Sequence, residues 1–428
     1  MRKLGERSVP GTIPAAAFAA IFTLVLHMIL TLVTAIPGVL APVAAKVFGL
    51  HPGRVGLLVA ATFIIAMAAS LATPGLLARW GAARACQAVA AGSAIGLFAM
   101  AAAGYGAHWA TDTGAMPAPV FIAVLIVSAV SLGIANGMIN PISSMILFRA
   151  VPANLRAFFF SVKQTAVPAG YAVAGLLVPA LLLVMSWQAA LAGLGLAAIV
   201  WLLMTMLVHV EISPDAAKAA APLATRAGRL RAFVEPIRTV WRRRAMREMA
   251  LVSMMYSMNQ TVMAAYLVSY LNLEIGLSLV LSGAIFAASQ FAGMLGRIVW
   301  GLSADLWVKP RTQLGLLGAA GGVCGLTVSQ FTPAWSQPAM LAVCVLFGLT
   351  AVSWNGIFLS EVARLSAKGD IGAMTAGTGV YNNLGALAGP GLCSLLVALS
   401  GIYALGIAVF ACAPLLLGAY LILSREPG

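Results

Sequence analysis

Charge is the scarcest thing in this sequence. Only 8% of its 428 residues are Asp, Glu, Lys or Arg, against roughly a quarter in an ordinary soluble domain. Acid is scarcer still, with 11 Asp plus Glu beside 25 Lys plus Arg. Cysteine is sparse as well. Cys86, Cys324, Cys344, Cys393 and Cys412 form no CxxC pair, and the four histidines are scattered. Neither a disulfide framework nor a metal centre is therefore expected. No Gly-x-x-x-x-Gly-Lys-Ser/Thr loop occurs, which excludes an ATP-driven pump encoded in this chain. Catalytic motifs such as Gly-x-Ser-x-Gly are missing too, so neither an enzyme nor a cofactor is expected. The net charge of +14 is not a nucleic-acid footprint. Eight Arg crowd into Arg226–Arg247 with no base-reading motif beside them.

What the chain has instead is length in apolar runs, at 62% hydrophobic residues and a mean hydropathy of +1.00. A helix of about 20 apolar residues matches the hydrocarbon thickness of a bilayer. Twelve such spans are predicted: Ala15–Leu40, Val55–Ala78, Ala85–Tyr105, Val120–Phe148, Ala157–Met185, Trp187–Val210, Ala250–Asn272, Ser278–Leu306, Leu314–Phe331, Ala339–Ala363, Ile371–Leu399 and Ile402–Leu423. The partner of such a chain is the lipid bilayer. Its first run is too long for a signal peptide and reads as the first span. Arg and Lys mark loops that resist translocation. They fall on alternate gaps: Arg2, Lys3 and Arg7; Arg79 and Arg84; Arg149 and Arg156; Lys309 and Arg311; Arg364 and Lys368. Both termini are thus expected in the cytoplasm.

Residues 211–248 are the one long hydrophilic stretch, a basic linker between a first bundle, 1–210, and a second, 249–428. The two halves echo each other. After the second span comes Gly75-Leu-Leu-Ala-Arg79-Trp-Gly81-Ala-Ala-Arg84, and after the eighth Gly301-Leu-Ser-Ala-Asp305-Leu-Trp-Val-Lys309-Pro-Arg311. Duplicated six-span halves are an architecture of secondary carriers that rock about a midplane site. The glycine in each turn is read as permitting close helix approach.

Over nearly its whole length the chain resembles the major facilitator superfamily. Gly75, Arg79, Gly81 and Arg84 match that superfamily's Gly-x-x-x-Asp-Arg-x-Gly-Arg-Arg signature in one copy, and Gly301 and Asp305 in the other. Ala78 replaces the usual Asp, and the fourth span, at Ser131–Gly137, lacks an Arg often present in proton-driven members. The resemblance implies an all-α membrane fold of twelve helices in two pseudo-symmetric six-helix bundles, acting as a monomer. Those six signature residues would then gate the conformational change. A looser likeness, at Ser161–Pro168 and Trp354–Arg364, is to bacterial cyanate, nitrate and organic-anion permeases of an inner membrane.

Polar residues inside the spans carry the functional reading, since an unpaired polar group in hydrocarbon costs several kcal/mol. Lys163 in the fifth span and Arg297 in the eighth are intramembrane cations, and no acidic residue lies at mid-membrane. A bound anion would offset their desolvation. The competing readings are that Lys163 snorkels to the surface and that Arg297 pairs with Asp305. Uncharged groups follow helical spacing: His27, Thr31 and Thr34; Asn136 and Asn140; Tyr256, Asn259, Gln260 and Met263; Ser289 and Gln290. Gln164, Trp354-Asn355 and Tyr381-Asn382 complete the candidate substrate site. Interhelical hydrogen bonding is the plainer explanation for any one of them. The expected substrate is a small organic anion of carboxylate type, moved by proton coupling or exchange. Efflux of lipophilic drugs is the alternative, weakened by the missing buried carboxylate. Gly133, Gly137, Gly170, Gly175, Gly385 and Gly389 are expected at close helix contacts.

Overall fold

In hydrocarbon every backbone N–H and C=O must be paired within its own segment, which leaves a chain this apolar little choice but helix. The computed structural model describes residues 13–47, 55–113, 118–152, 155–207, 237–306, 308–366 and 371–424, and no strand occurs among them. The first half holds α1 (Ile13–Val47), α2 (Val55–Thr113), α3 (Ala118–Ala150), α4 (Arg156–Gln164), α5 (Ala166–Leu181) and α6 (Trp187–Leu207). The second holds α7 (Arg244–Ser269), α8 (Leu279–Leu306), α9 (Pro310–Val328), α10 (Gln337–Ala351), α11 (Asn355–Leu365), α12 (Ile371–Ser400) and α13 (Tyr403–Leu423). Most of the linker lies outside the described residues. Only its last part, with a helical turn at 237–242, precedes α7.

Nine described stretches are long and apolar enough to cross a membrane; the first arm of α2, α7 and α9 complete the twelve spans. Three spans depart from simple rods. Gly81, at φ 78 and ψ 170, turns the chain inside α2, so that one run makes two crossings. The fifth span is α4 and α5 divided at Thr165. Pro168 causes that division, because proline lacks the N–H that the carbonyl four residues back requires, and its ring crowds that carbonyl. The tenth span is α10 and α11 divided at Val352–Trp354.

Helix pairing repeats between the halves. In the first, α1 packs on α5, both arms of α2 on α3, and the second arm on α6. In the second, α7 packs on α12, α8 and α9 on α10, and α9 on α13. Small residues make these contacts. A Cβ at Gly137 would collide with the Ala66 carbonyl, and one at Gly348 with the Ser289 carbonyl at the equivalent crossing. Gly133, Gly170, Gly175, Gly385 and Gly389 also lie at such crossings. This is a twelve-helix fold of two pseudo-symmetric six-helix bundles.

The bundles meet through α5 with α8, α2 with α12, and α1 with α7. Three glycines at described contacts between the bundles lie towards the end opposite the chain termini, here the distal end. Gly38 sits against the carbonyls of Ala264 and Ala265, Gly175 against Gly283, and Gly391 against Ala60. Buried apolar residues tell the same story. One cluster, including Val33, Ile36, Val178, Val262, Tyr266 and Phe286, spans both bundles at the distal end. At the terminal end each bundle keeps its own core, around Leu26 and Ile142 in the first and Tyr256 and Leu314 in the second. The molecule is sealed distally.

Candidate functional site

Helix breaks place the site's cations. Lys163 lies in the last turn of α4, two residues before the break at Thr165, and is only 1% exposed. Its Nζ donates to Asn140 Oδ1 at 3.1 Å and Ser144 Oγ at 3.0 Å, both one helix away on α3. It does not snorkel. Arg297 reaches from α8 to both breaks. Its Nε and Nη2 each donate to the Val352 carbonyl at 3.2 Å, and Nη2 also to Asn355 Oδ1 at 3.0 Å. Its Nη1 crosses to the first bundle and donates to the carbonyl of Gln164, the residue after Lys163. The side chain of Asp305, the partner in the competing reading, lies outside the described residues.

Among the described residues neither cation meets a carboxylate. The break in α10–α11 has no proline. The Arg297 side chain inserted at the Val352 carbonyl accounts for it, since a side chain entering the ladder of i to i−4 bonds interrupts a helix. His27 on α1 is buried at 4% exposure, and its Nδ1 has no hydrogen-bond partner among the described residues. Lys163 and Arg297 thus come together from α4 and α8, joined through the Gln164 carbonyl.

The other candidates divide. Asn140 and Asn355 join the site by accepting from the cations, and Gln164 joins through its backbone. Thr31 and Thr34 donate their hydroxyls back to the carbonyls of His27 and Thr31 on their own helix. Trp354 is buried and donates from Nε1 to Gln260 Oε1 at 3.0 Å. It meets Tyr256 edge-on at 5.7 Å between ring centroids, and Tyr256 donates to the Leu314 carbonyl on α9. That trio braces the second bundle. Asn259 lines a small cavity between α7, α9, α10 and α13 with Tyr256, Gly318 and Pro414, and its Oδ1 lacks a partner among the described residues. Tyr381 stacks on Trp241, 5.9 Å away, beside the turn that precedes α7. Asn136 and Asn382 are half-buried and Gln290 is buried on α8.

Of the gating candidates, Arg79 and Arg84 are exposed on either side of the Gly81 turn. Close approach at Gly75 and Gly301 is not seen among the described residues, where a Cβ would meet nothing within 4 Å. Both sit at the terminal end, where the bundle cores stand apart.

Sequence reasoning missed three features. Ser144 carried a signal, one helical turn after Asn140. The Gln164 carbonyl carried one too, with proline four residues on. The third is Glu248, buried on α7 against Arg311 of α9, with Tyr420 of α13 donating to it at 3.0 Å. In the sequence it stands only as the end of the basic linker.

Comparisons agree with this architecture. The chain resembles a solved D-xylose–proton symporter at 15% identity and a TM-score of 0.64, covering 95% of this chain and 96% of that one. It resembles the solved nucleoside transporter NupG at 13% identity and a TM-score of 0.71, covering 94% and 99%. Likeness at this identity concerns the fold. No curated protein matches the chain. The model of the Major Facilitator Superfamily matches residues 23–390. With that match over most of a chain built as two repeated bundles, the chain belongs to the major facilitator superfamily, and it is a membrane transporter.

Proposed function

We propose that this transporter carries small organic anions of carboxylate type across a bacterial-type inner membrane. Both termini lie in the cytoplasm, as the alternating Arg and Lys indicate, so the arrangement sealed distally opens its site inward. Alternating access comes from rocking of the two bundles about the level of Lys163 and Arg297, coupled to protons or run as exchange. One observation carries the reading: each bundle places an intramembrane cation at the same site, Lys163 fully buried and Arg297 half-buried, and among the described residues both are held by neutral groups alone. Taking an ion out of water costs several kcal/mol. Backbone carbonyls and side-chain amides offset part of that cost, and an anion would offset the rest. Among the described residues no carboxylate of the kind a drug exporter would use meets either cation.

The test is a thermal-shift screen of acetate, lactate, oxalate, malonate and succinate on the wild type and Lys163→Gln, followed by uptake into proteoliposomes. A carboxylate that stabilises and enters only with wild type supports the reading. Equal stabilisation of both proteins, or uptake by Lys163→Gln at the wild-type rate, refutes the assignment of Lys163.

A further inference from the structure

The carbonyl that Arg297 grips on the far bundle is not an ordinary helical one. In an uninterrupted helix the Gln164 carbonyl would accept from the N–H of residue 168. Residue 168 is proline and has none, while the next amide, Ala169, bonds to Thr165 instead at 3.1 Å. The sequence has thus left one acceptor unfilled, beside Lys163 and facing α8. Arg297 fills it, while its other donors hold Val352 and Asn355 of its own bundle. A single guanidinium so ties a break in one bundle to a break in the other.

We propose that the Gln164 carbonyl is an internal stand-in for the substrate's anionic group, and that Pro168 is the positioning residue that makes it available. The carbonyl occupies Arg297 while the site is empty and holds the bundles in the distally sealed arrangement. An arriving anion competes for Nη1, releases Gln164 and frees α5 to move against α8. Binding and rocking are thereby linked through one hydrogen bond, and the linkage is reciprocal. The tie between Pro168, Gln164 and Arg297 stands on geometry; its release by an anion rests on the function proposed above.

Pro168→Ala separates the two claims. Alanine restores an N–H at 168, which takes the Gln164 carbonyl and leaves Arg297 without its cross-bundle partner. The readout is hydrogen–deuterium exchange of the ligand-free protein over the distal seal, in peptides covering 33–43 and 262–271. Loss of one charge-assisted hydrogen bond should raise opening, and so exchange in both peptides, by about tenfold. Arg297→Lys, which keeps the cation but not the fork, should do the same. The double variant should show no further increase, because both changes remove the same tie. Exchange unchanged in Pro168→Ala, or increases that multiply in the double variant, would overturn the proposal, since a merely structural proline predicts independent effects. Succinate and lactate supply the second arm. Each should speed distal exchange in wild type but not in Pro168→Ala, and bind the variant about tenfold tighter. If neither affects wild type while Pro168→Ala still opens the seal, the tie stands and the carboxylate reading falls.

Discussion

Between Glu6 and Glu211 the first bundle's sequence has a single acidic residue, Asp112, whereas the second sets Glu248, Glu274 and Glu361 each against a partner. Glu248 and Arg311, with side chains 7% and 5% exposed, form an ion pair closed by Tyr420 and Ser424. It clamps α7, α9 and α13 at the terminal end. Glu361 is paired with Arg364 one turn on, at 2.7 Å, and Glu274 accepts the first amide of α13 at 2.7 Å. The second bundle therefore knows how to neutralise a buried cation with a carboxylate. At the site, among the described residues, it does not. Arg297 takes two carbonyls and an amide, and Lys163 in the first bundle takes an amide and a hydroxyl. Paired ions at the ends of helices serve the fold. Those held by neutral groups at the meeting of the bundles are, on the function proposed above, the ones that serve transport.

The sharpest way to break this contrast is to remove one cation at a time. Lys163→Gln and Arg297→Gln should each lower initial uptake of a carboxylate substrate in proteoliposomes by on the order of 100-fold, the usual penalty for truncating a buried charged contact. Both proteins should still insert and fold. If only one cation mattered, the site would belong to one bundle and the symmetry argument would fail. Next in size is the ion pair. Glu248→Gln leaves Arg311 buried without its counter-charge and should cost about 3–5 kcal/mol, read as a large drop in the unfolding midpoint in detergent. Replacing both, as Glu248→Leu with Arg311→Met, should recover most of it. Failure to recover would mean that the pair does more than hold three helices together.

The sequence made some of this legible and some not. Twelve spans, the repeated turns and the two intramembrane cations follow from apolar runs and from charges that stand out against them. Side-chain direction did not follow. Tyr256, Asn259 and Gln260 share a helical face in sequence, yet Tyr256 reaches α9, Asn259 an internal cavity and Gln260 the indole of Trp354. Spacing fixes a face, while the neighbours that claim it come from distant sequence. The role of Gln164 was hidden for another reason. It is played by a backbone carbonyl, and only the proline four residues later betrays it. Glu248 was hidden by position, since an acid beside eight arginines reads as solvated linker, while the fold draws it under α9.

Smaller effects test whether the bundles are as alike in packing as they are unlike in charge. Gly137→Ala and Gly348→Ala sit at equivalent crossings, and each adds a methyl that would press on a backbone carbonyl of the neighbouring helix. Each should cost about 3 kcal/mol of stability, because a backbone cannot turn aside as a side chain can. Thermal unfolding that shifted for one and not the other would show that the repeated pairing hides different tightness.

The repeated turns at the terminal end should differ in the same assay, more modestly. Gly81 holds φ 78 with ψ 170 and would place a Cβ in open space. Gly81→Ala therefore meets no clash with a neighbour and carries only the backbone cost of a conformation that residues with a side chain avoid, about 1 kcal/mol or somewhat more. The second turn solves the same problem without glycine. Lys309 has φ −55 and ψ 134, ordinary for any residue, and Pro310 starts α9 where a missing N–H does no harm. Lys309→Ala should thus leave the unfolding midpoint where it was, while Gly81→Ala lowers it slightly. Equal effects from both would mean that the signature glycine is kept for the rocking motion and not for the turn. Uptake measured on Gly81→Ala at a temperature well below its midpoint would then show the loss that stability does not.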